Sequence, residues 1–235
     1  MSPVLHPLKA QRRSPIYRWH MHRGATFIAK GDATFVQHYQ DSEKEGFLAQ
    51  RLAICDLSLL SRQGIIGRGS SAWLTANRQV APECANKSVT QANGDLLVRL
   101  AERDFLNLQL SSLGFAGSPD RDMWLDGGAA DAFIVPSSDS HSLFAVSGTF
   151  ASTLFSKICG VDLRERSFSN GDVAQTSVAR VNAVIIRHHF GSTENFFLLT
   201  ATSAAEYVWH CLLDAMQEYG GEPVGVAALA ALQQT

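Results

Sequence analysis

The chain has 235 residues, of which 46% are hydrophobic and 18% charged, and its formal net charge is −2. A chain of this length and apolar content can bury a full core, in one domain or in two small domains built against each other. The near-neutral charge gives no reason to expect a nucleic-acid partner, and no apolar run approaches the roughly 18 residues that a membrane-spanning helix needs. The four cysteines are widely spaced, with no CxxC pair and no secretory leader, which favours reduced thiols in a cytoplasmic protein.

Residues 1–40 are predicted to form a basic N-terminal arm. The first 31 residues contain no acidic side chain but six basic ones, namely Lys9, Arg12, Arg13, Arg18, Arg23 and Lys30. A transit peptide is disfavoured, because three prolines interrupt the amphipathic helix that such peptides use. Two interpretations stay open: the arm lies on an acidic partner or binds a phosphate or carboxylate ligand, or it is a solvated and partly mobile terminus. His20 and His22 lack a third metal ligand at usable spacing, so a structural or surface role is expected for them.

Residues 41–113 are predicted to form a first αβ half. A helix begins at Asp41, and Ser42 lies three residues before Glu45 as in a capping box. Its inner face is expected to comprise Phe47, Leu48, Ala49 and Leu52, and the helix is expected to run out near residues 55–58. A short strand at 65–66 ends at Gly69, a helix begins at Ser70, and a hairpin of strands 96–100 and 105–110 follows Asn93-Gly94-Asp95.

Residues 114–140 are predicted to form a loop-rich connector, because Gly, Ser, Asp and Pro dominate them, with one short helix near 129–133. Residues 141–221 are predicted to form the second αβ half. It is expected to contain a strand at 143–146, a helix from 149 to 160, strands at 174–179, 183–187 and 196–199 with a corner at 180–182, and a last helix ending at Gly220-Gly221.

The last helix is predicted to begin with a capping box, Ser203-Ala204-Ala205-Glu206, whose side chains would bond the unpaired amides of the first turn. Its expected buried face consists of Ala205, Val208, Trp209, Leu212, Leu213 and Met216. Residues 222–235 form a tail of mostly small apolar residues. A frayed end is expected for this tail in preference to packing on a neighbour.

The two halves show the same order of elements. Gly69-Ser70-Ser71-Ala72 and Gly148-Thr149-Phe150-Ala151 each follow a strand and begin a helix, and Asn-Gly-Asp precedes a hairpin at Asn93 and again at Asn170. The offsets of 79 and 77 residues are nearly equal. This spacing predicts a pseudo-duplicated α+β fold, in which two sheet-and-helix halves pack together.

Few residues indicate chemistry. There is no phosphate-binding loop, dinucleotide fingerprint, serine nucleophile elbow or paired-cysteine metal site, so no catalytic and no metal-binding residue is predicted. His188-His189 lies at a strand end, but no carboxylate or nucleophile is tied to the pair by spacing, and a surface or core role is favoured. Glu194 lies in the turn between two apolar strands. A glutamate there can point into a cleft and bind the ring N–H groups of a heterocycle, or it can face water, which is the commoner case.

Several stretches resemble a known superfamily. Ser14-Pro15-Ile16-Tyr17, residues 46–49 (GFLA) and residues 55–58 (CDLS) resemble the start of the glycine-cleavage T-protein, or aminomethyltransferase, fold. The second half is similar to one branch of that superfamily, the gamma subunits of heterotetrameric sarcosine oxidases. Residues 171–181 (GDVAQTSVARV) look like the signature strand of that branch, and residues 206–220 look like its C-terminal helix.

The resemblance implies a fold whose enzymes bind tetrahydrofolate in a central channel. Those enzymes carry an asparagine- and aspartate-bearing segment after the second hairpin strand of the first half, whereas residues 107–113 (NLQLSSL) contain no aspartate. Their glycine-rich turn, with a glutamate that holds the pterin, corresponds to residues 191–195 (GSTEN), which are one residue longer and poorer in glycine. Glu194 is the residue that matches this glutamate, and it is the one predicted cofactor-binding residue.

From the resemblance we expect a non-catalytic, gamma-type subunit of a flavin-dependent complex that oxidises sarcosine or a related N-methylated amine. The one-carbon unit would pass to tetrahydrofolate on another subunit. Larger alpha- and beta-type flavoprotein subunits are the expected partners and would carry FAD, FMN and NAD, with no cofactor on this chain. The alternative is a free-standing, tetrahydrofolate-binding one-carbon transferase, and a scaffold of the same fold serving another oxidase is a third interpretation.

Overall fold

The computed structural model describes residues 6–114 and 131–233, which form six α-helices and thirteen β-strands. The helices are α1 (Tyr17–His22), α2 (Ser42–Arg51), α3 (Ser70–Ala76), α4 (Ala151–Phe155), α5 (Ala205–Met216) and α6 (Val226–Leu232). The strands are β1 (Thr26–Lys30), β2 (Ala33–His38), β3 (Ala53–Asp56), β4 (Arg62–Ile66), β5 (Lys87–Thr90), β6 (Leu96–Ala101), β7 (Asp104–Leu108), β8 (Phe133–Pro136), β9 (His141–Ser147), β10 (Val173–Val178), β11 (Val181–Arg187), β12 (Asn195–Ala201) and β13 (Glu222–Pro223). None of these helices is long and apolar enough to cross a membrane.

Two large sheets carry the duplication. The five-stranded sheet has the order β5-β6-β7-β4-β8, and the six-stranded sheet has the order β10-β11-β12-β9-β3-β13. In each half a first strand (β4 or β9) leads into a helix (α3 or α4), and three antiparallel strands follow, the last of which pairs back with the first. The predicted pseudo-duplicated α+β fold is therefore confirmed.

The two halves correspond through different residues from those predicted. Gly67 and Gly148 have φ angles of +116° and +104°, and their carbonyls accept from the amides that open α3 and α4, so Gly67 is the counterpart of Gly148 where Gly69 was predicted. The second predicted marker was wrong. Asn93 lies in the turn between β5 and β6, whereas Asn170 precedes β10, the counterpart of β5. Asn93 and Asn170 are therefore not equivalent positions, and the agreement of their 77-residue offset with the 79-residue offset of the glycines is a coincidence.

The two sheets face each other across one apolar cluster, which we call the inter-sheet core. Strands of both sheets contribute to it together with β2, α2 and α6; its buried members include Leu48, Leu96, Leu106, Leu108, Leu143, Phe197, Leu199 and Leu229. The opposite face of the six-stranded sheet packs on α4 and α5 through a second set, the outer cluster, which includes Phe144, Phe155, Phe196 and Trp209. Because this sheet is covered on both faces, β9 and β12 are buried along most of their length and read as nearly continuous apolar runs.

Residues 6–40 are folded and contain a helix and a hairpin, so they are not the solvated and partly mobile terminus that was one of the two open interpretations. Strands β1 and β2 pair around Gly31-Asp32, and Phe27, Phe35 and Val36 are buried. In α1, His20 is buried and bonds to Asp56 and Tyr39. The basic residues of this segment hid the pattern, because their charges lie on the outer side of elements whose other side is apolar.

Helix α2 differs from its prediction at its cap, on its inner face and at its end. The N-cap is Asp41, which accepts from the Glu43 amide, in place of Ser42. Phe47 is 64% exposed, whereas Glu45 is 1% exposed. The buried Glu45 carboxylate accepts from the backbone amides of Tyr39, Gln40 and Gly225, which offsets its loss of hydration.

The predicted continuation of α2 towards residues 55–58 was wrong. Leu52 is extended, with φ −164° and ψ 116°, and β3 follows at once beside β9. A run of four buried apolar residues fits a strand or a helix equally well in the sequence, and pairing with a distant strand decides between them. The corner predicted at 180–182 is a two-residue turn, Ala179-Arg180, whose φ angles of +49° and +67° suit a tight hairpin.

The C-terminal predictions need three corrections. Ser203 lies inside a 3-10 turn, Thr202–Ala204, so α5 has no side-chain cap and the predicted capping box does not form. The inner face of α5 is otherwise as predicted, except that Ala215 is buried where Leu213 is only partly so. The tail is not frayed: β13 pairs with β3, and α6 buries Val226, Ala228, Leu229 and Leu232.

The helix predicted near 129–133, in the connector, falls partly outside the described residues, and Phe133 begins strand β8.

Replacement of Gly148 by alanine is expected to lower the free energy of unfolding by at least about 2 kcal/mol, because the residue combines positive φ with close backbone contact. An added Cβ would lie 2.4 Å from the carbonyl carbon of Arg51. Urea unfolding followed by circular dichroism measures the loss. Gly46→Ala in α2 is the control, since nothing lies within 4 Å of its added Cβ and the substitution should be neutral or stabilising. Equal stability of the two variants would contradict the prediction.

Candidate functional site

A polar groove of about 570 Å³ opens beside the loop that joins β11 to β12, and it contains Glu194. All of its lining residues are polar or charged: Gln50, Thr149, Ser152, Arg164, Glu165, Arg187, His189, Ser192, Thr193 and Glu194. They come from the end of α2, the start of α4, the loop before β10 and the β11–β12 loop. Of the two alternatives that the sequence left open for Glu194, a cleft or water, the structure has the carboxylate in a cleft.

Arg187, at the end of β11, is the buried cation of the groove. Its side chain is 2% exposed, and its Nη2 atom lies 2.7 Å from Oε1 of Glu194. Its Nη1 atom donates to the carbonyl oxygens of Leu163 and Phe168, both at 3.0 Å, and the guanidinium lies over the ring of Phe196. The buried cation is therefore paired and hydrogen-bonded, which is the condition for burying a charge at tolerable cost.

The surroundings in the groove shift the pKa values of Glu194 and His189, the two titratable groups that contact Arg187. Burial raises the pKa of Glu194 above its usual value, although the charge of Arg187 and hydrogen bonds from Ser152 act in the opposite direction. Burial lowers the pKa of His189, and Arg187 lowers it further. The Nε2 atom of His189 accepts from Nε of Arg187 at 3.2 Å, which requires that nitrogen to be unprotonated. Glu194 and His189 thus both bind Arg187.

Glu194 and the inter-sheet core belong to opposite faces of the six-stranded sheet. Arg187 lies opposite Phe196 in the β11–β12 register, and directly opposite residues of an antiparallel pair share a face. Phe196 belongs to the outer cluster, so Arg187 and the carboxylate it binds lie on the outer side. The pterin-binding role of Glu194 remains a prediction, and any ligand held by this carboxylate would lie in the outer groove.

The inter-sheet side of the same strand ends carries a row of three polar residues that the sequence did not single out together. His188 donates its amide to the carbonyl of Asn195, and Asn195 lies opposite Ser147 in the β9–β12 register. Asn195 and Ser147 are fully buried, and their side-chain atoms have no hydrogen-bond partner among the described residues. Burial lowers the pKa of His188 to about 4, so this ring is neutral at pH 7, and it stacks on Phe197. A polar residue at a strand end was the only sequence signal for this row.

No metal centre is found within residues 6–114 and 131–233, where no three His, Cys, Asp or Glu side chains are grouped as ligands. His20 is 1% exposed and its two ring nitrogens are engaged by Asp56 at 2.8 Å and by the Tyr39 hydroxyl at 2.6 Å. His22 is exposed on the other side of α1. The structural role expected for His20 is therefore confirmed.

Replacement of Glu194 by glutamine is expected to destabilise the protein by about 1–3 kcal/mol, because it leaves the buried Arg187 cation without its close anion. Thermal or urea unfolding measures the change. Glu165→Gln is the matched control: this carboxylate is 76% exposed and 4.0 Å from Nη2 of Arg187, so a change within about 0.5 kcal/mol is expected. A Glu194→Gln variant as stable as the control would show that the pair contributes nothing.

Comparison of the sequence with known proteins finds one matching family model and several relatives of low identity. Residues 16–234 match the family model of the GCVT N-terminal domain. An aminomethyltransferase of Clostridium botulinum (strain Langeland) is 31% identical over 118 residues, which are 48% of this chain and 31% of that protein. The sarcosine oxidase subunit gamma of Corynebacterium sp. (strain P-1) is 30% identical over 87 residues, which are 37% of this chain and 41% of that protein. The matched region thus spans only about a third of the length of the first curated relatives.

Two solved structures share the fold over nearly the whole chain. The glycine cleavage system aminomethyltransferase T from Bartonella henselae has a TM-score of 0.70 at 16% identity, covering 95% of this chain and 62% of that one. A chain of the heterotetrameric sarcosine oxidase from Corynebacterium sp. U-96, in complex with pyrrole 2-carboxylate, has a TM-score of 0.63 at 17% identity, covering 89% of this chain and 97% of that one. At these identities the likeness concerns the fold.

Proposed function

The chain belongs to the family of the GCVT N-terminal domain, and from this membership we propose that it is a non-catalytic, gamma-type subunit of a heterotetrameric sarcosine oxidase. The complex would oxidatively demethylate sarcosine or a related N-methylated amine. Flavin chemistry would take place on larger alpha- and beta-type subunits that carry FAD, FMN and NAD. The one-carbon unit would pass to tetrahydrofolate on another subunit, and this chain would act as a structural component.

The observation that carries the proposal is the apolar filling of the space between the sheets. A folate-binding member of the superfamily would be expected to keep its ligand there, but both sheets and α6 fill this space with side chains at most 8% exposed: Leu106, Leu108, Phe190, Phe197, Leu199 and Leu229. Glu194, the residue matching the pterin-binding glutamate, is held by Arg187 on the outer side. This apolar packing supports a chain that carries no tetrahydrofolate between its sheets.

The strand that resembles the gamma-subunit signature has a structural task in this chain. Gln175 of β10 donates through Nε2 to Oδ1 of Asn86 at 2.9 Å and to the carbonyl of Leu100 at 2.7 Å, both in the first half. Beside it the amide of Ser88 donates to the carbonyl of Gly171 at 2.7 Å. The signature strand thus joins the two halves, which supports a rigid scaffold role.

Affinity purification of the full chain from its source cells, with mass spectrometry and a visible spectrum of the eluate, tests the proposal. Large subunits with a yellow flavin spectrum, and sarcosine-dependent reduction of that flavin, are the expected result. A colourless, partner-free protein would overturn it. Tetrahydrofolate titration of the isolated chain by calorimetry then decides on the free-standing one-carbon transferase, since saturable binding abolished by Glu194→Gln is expected only for that function.

A further inference from the structure

The basic residues of the N-terminal segment form a patch around α1. The guanidinium carbons of Arg13 and Arg18 lie over the ring of Tyr17, at 5.2 Å and 5.6 Å from its centroid, and that of Arg23 lies 5.2 Å from the centroid of Trp19. Nε of Arg18 also donates to the Tyr17 hydroxyl at 3.1 Å. All three arginines are exposed. Stacking holds each guanidinium at the surface, so less side-chain entropy remains to be lost on binding.

None of these three arginines forms an ion pair with any described residue, which sets them apart from their neighbour Arg12. The Nη1 atom of Arg12 lies 3.8 Å from Oδ1 of Asp32, and its Nη2 atom lies 3.2 Å from Oδ1 of Asp139, so Arg12 is paired within the chain. Residues 6–31 contain no acidic side chain that could pair with the others. No carboxylate of residues 6–114 and 131–233 therefore occupies the donor edges of these three guanidiniums, which can bind a carboxylate in the bidentate manner.

Helix α1 turns this patch outward because its opposite side is anchored. His20 is buried against Asp56 and Tyr39, and the ring centroids of Trp19 and of Trp209 in α5 lie 5.2 Å apart in a T-shaped arrangement. Arg18 and His22, four residues apart, share the exposed face. Arg13 and Arg18 share the Tyr17 ring, and Arg23, directly after the helix, is only about 7.5 Å from Arg18 along the helix axis.

We infer that Arg13, Arg18 and Arg23, stacked on Tyr17 and Trp19, form a docking surface for a carboxylate-bearing face of a partner protein. The inference rests on the proposed function for the identity of that partner, a large subunit of the oxidase. The charge favours a protein over a nucleic acid, because the whole chain has a net charge of −2 whereas nucleic-acid-binding domains usually carry a strong basic excess. Arginine and aromatic side chains are also the residues enriched in protein interfaces.

The first test measures binding of a fluorescein-labelled oligoglutamate peptide to the full chain by anisotropy at low ionic strength. The triple variant Arg13→Gln, Arg18→Gln, Arg23→Gln is expected to bind about tenfold more weakly than wild type, and the affinity of wild type should fall as salt rises. Arg68→Gln, Arg78→Gln, Arg166→Gln is the control, with the same change in charge at exposed sites elsewhere and the wild-type affinity expected. Equal affinity of both triple variants would overturn the inference. So would tighter binding of a DNA duplex or of phosphatidylserine vesicles than of oligoglutamate.

The second test asks whether the patch holds the large subunits. The tagged wild-type chain, the patch variant and the control variant are expressed in the source cells, and the retained large subunits are quantified. Loss from the patch variant alone supports the inference, whereas equal retention by all three overturns it and leaves the proposed function intact. If the wild-type chain retains no large subunits, the proposed function fails. The oligoglutamate measurement then decides by itself whether the patch binds carboxylates. Unfolding midpoints exclude misfolding, and a triple lysine variant, which keeps the charge, is expected to restore most of the binding.

Discussion

Replacement of Asp56 by alanine is expected to lower the free energy of unfolding by about 3–5 kcal/mol, because it removes the anion from a buried network. Asp56 is 5% exposed; its Oδ2 atom lies 2.8 Å from Nε2 of His20 and accepts from the Ser14 hydroxyl, and its Oδ1 atom accepts from the amide of Ser58 at 2.9 Å. Through the other ring nitrogen of His20 the network reaches Tyr39. The N-terminal segment is thus fastened to β3, and its hairpin should lose amide protection in the variant.

The pH dependence of this effect follows from the pKa of Asp56. Burial by itself would raise that pKa, but the hydrogen bond and charge of His20 and the hydrogen bonds from Ser14 and Ser58 bring it below its usual value. A carboxyl whose pKa is lower in the folded state stabilises the protein above its unfolded pKa and ceases to do so as the pH falls through its folded pKa. The stability difference between wild type and Asp56→Ala should therefore be full at neutral pH and shrink below about pH 4.

Urea unfolding at neutral and acidic pH, with hydrogen exchange at residues 26–38, measures both effects. Asp139→Ala is the control, because Asp139 is 88% exposed and its one ion pair among the described residues is with Arg12, so its loss should change stability by less than about 1 kcal/mol. If Asp56→Ala were as stable as this control at neutral pH, the network would not hold the N-terminal segment.

Replacement of Arg62 by methionine is expected to cost about 2–4 kcal/mol, since three carbonyl groups would lose their donor. Arg62, on β4, is 1% exposed, and its Nη2 atom donates to the carbonyl oxygens of Ser58, Ser138 and His141. These carbonyls belong to the turn after β3, to the link between β8 and β9 and to the first residue of β9, so the guanidinium joins the two sheets at their crossover. Burial lowers the pKa of Arg62 to about 10, and the side chain remains a cation at pH 7.

The opposing effect is the cost of burying this cation. No ion pair to Arg62 is formed within the described ranges, and its Nε and Nη1 atoms have no hydrogen-bond partner there. A methionine removes that cost but satisfies no carbonyl, whereas Arg62→Lys keeps the charge and is expected to lose less. Arg68→Met, at an exposed position, is the control for the charge. A methionine variant at least as stable as wild type would mean that the desolvation cost exceeds the three hydrogen bonds.

The second half could be predicted well because its signals are local. Apolar runs placed β9 and β12, and the spacing of Val208, Trp209, Leu212 and Met216 placed the buried face of α5. The duplication was inferred correctly although its glycine marker was two residues away from the true counterpart and its second marker was mistaken, because the glycine turn before each helix is a local backbone requirement. The family resemblance, carried by short residue patterns, is confirmed by the match over residues 16–234.

The candidate site could be predicted only in part. Glu194 was found as a carboxylate in a turn between buried strands, but its partner Arg187 was not, and the face on which the two meet follows from the register of β11 against β12. Asn195 and Ser147 meet because β9 and β12, almost fifty residues apart in the chain, pair directly. Side-chain alternation along each strand is local, but the pairing that brings two strands together is not.

The sequence by itself determined the elements whose periodicity, glycine turns and apolar runs are contained in a few consecutive residues, and with them the fold family. Tertiary structure alone decided that Glu45 points inward while Phe47 points outward, because the amide of Gly225 that Glu45 binds lies 180 residues away. It also decided that α2 gives way to β3 and that the basic N-terminal segment folds against Asp56. In each case the local preference was balanced or weak, and hydrogen bonds and burial supplied by distant parts of the chain settled the conformation.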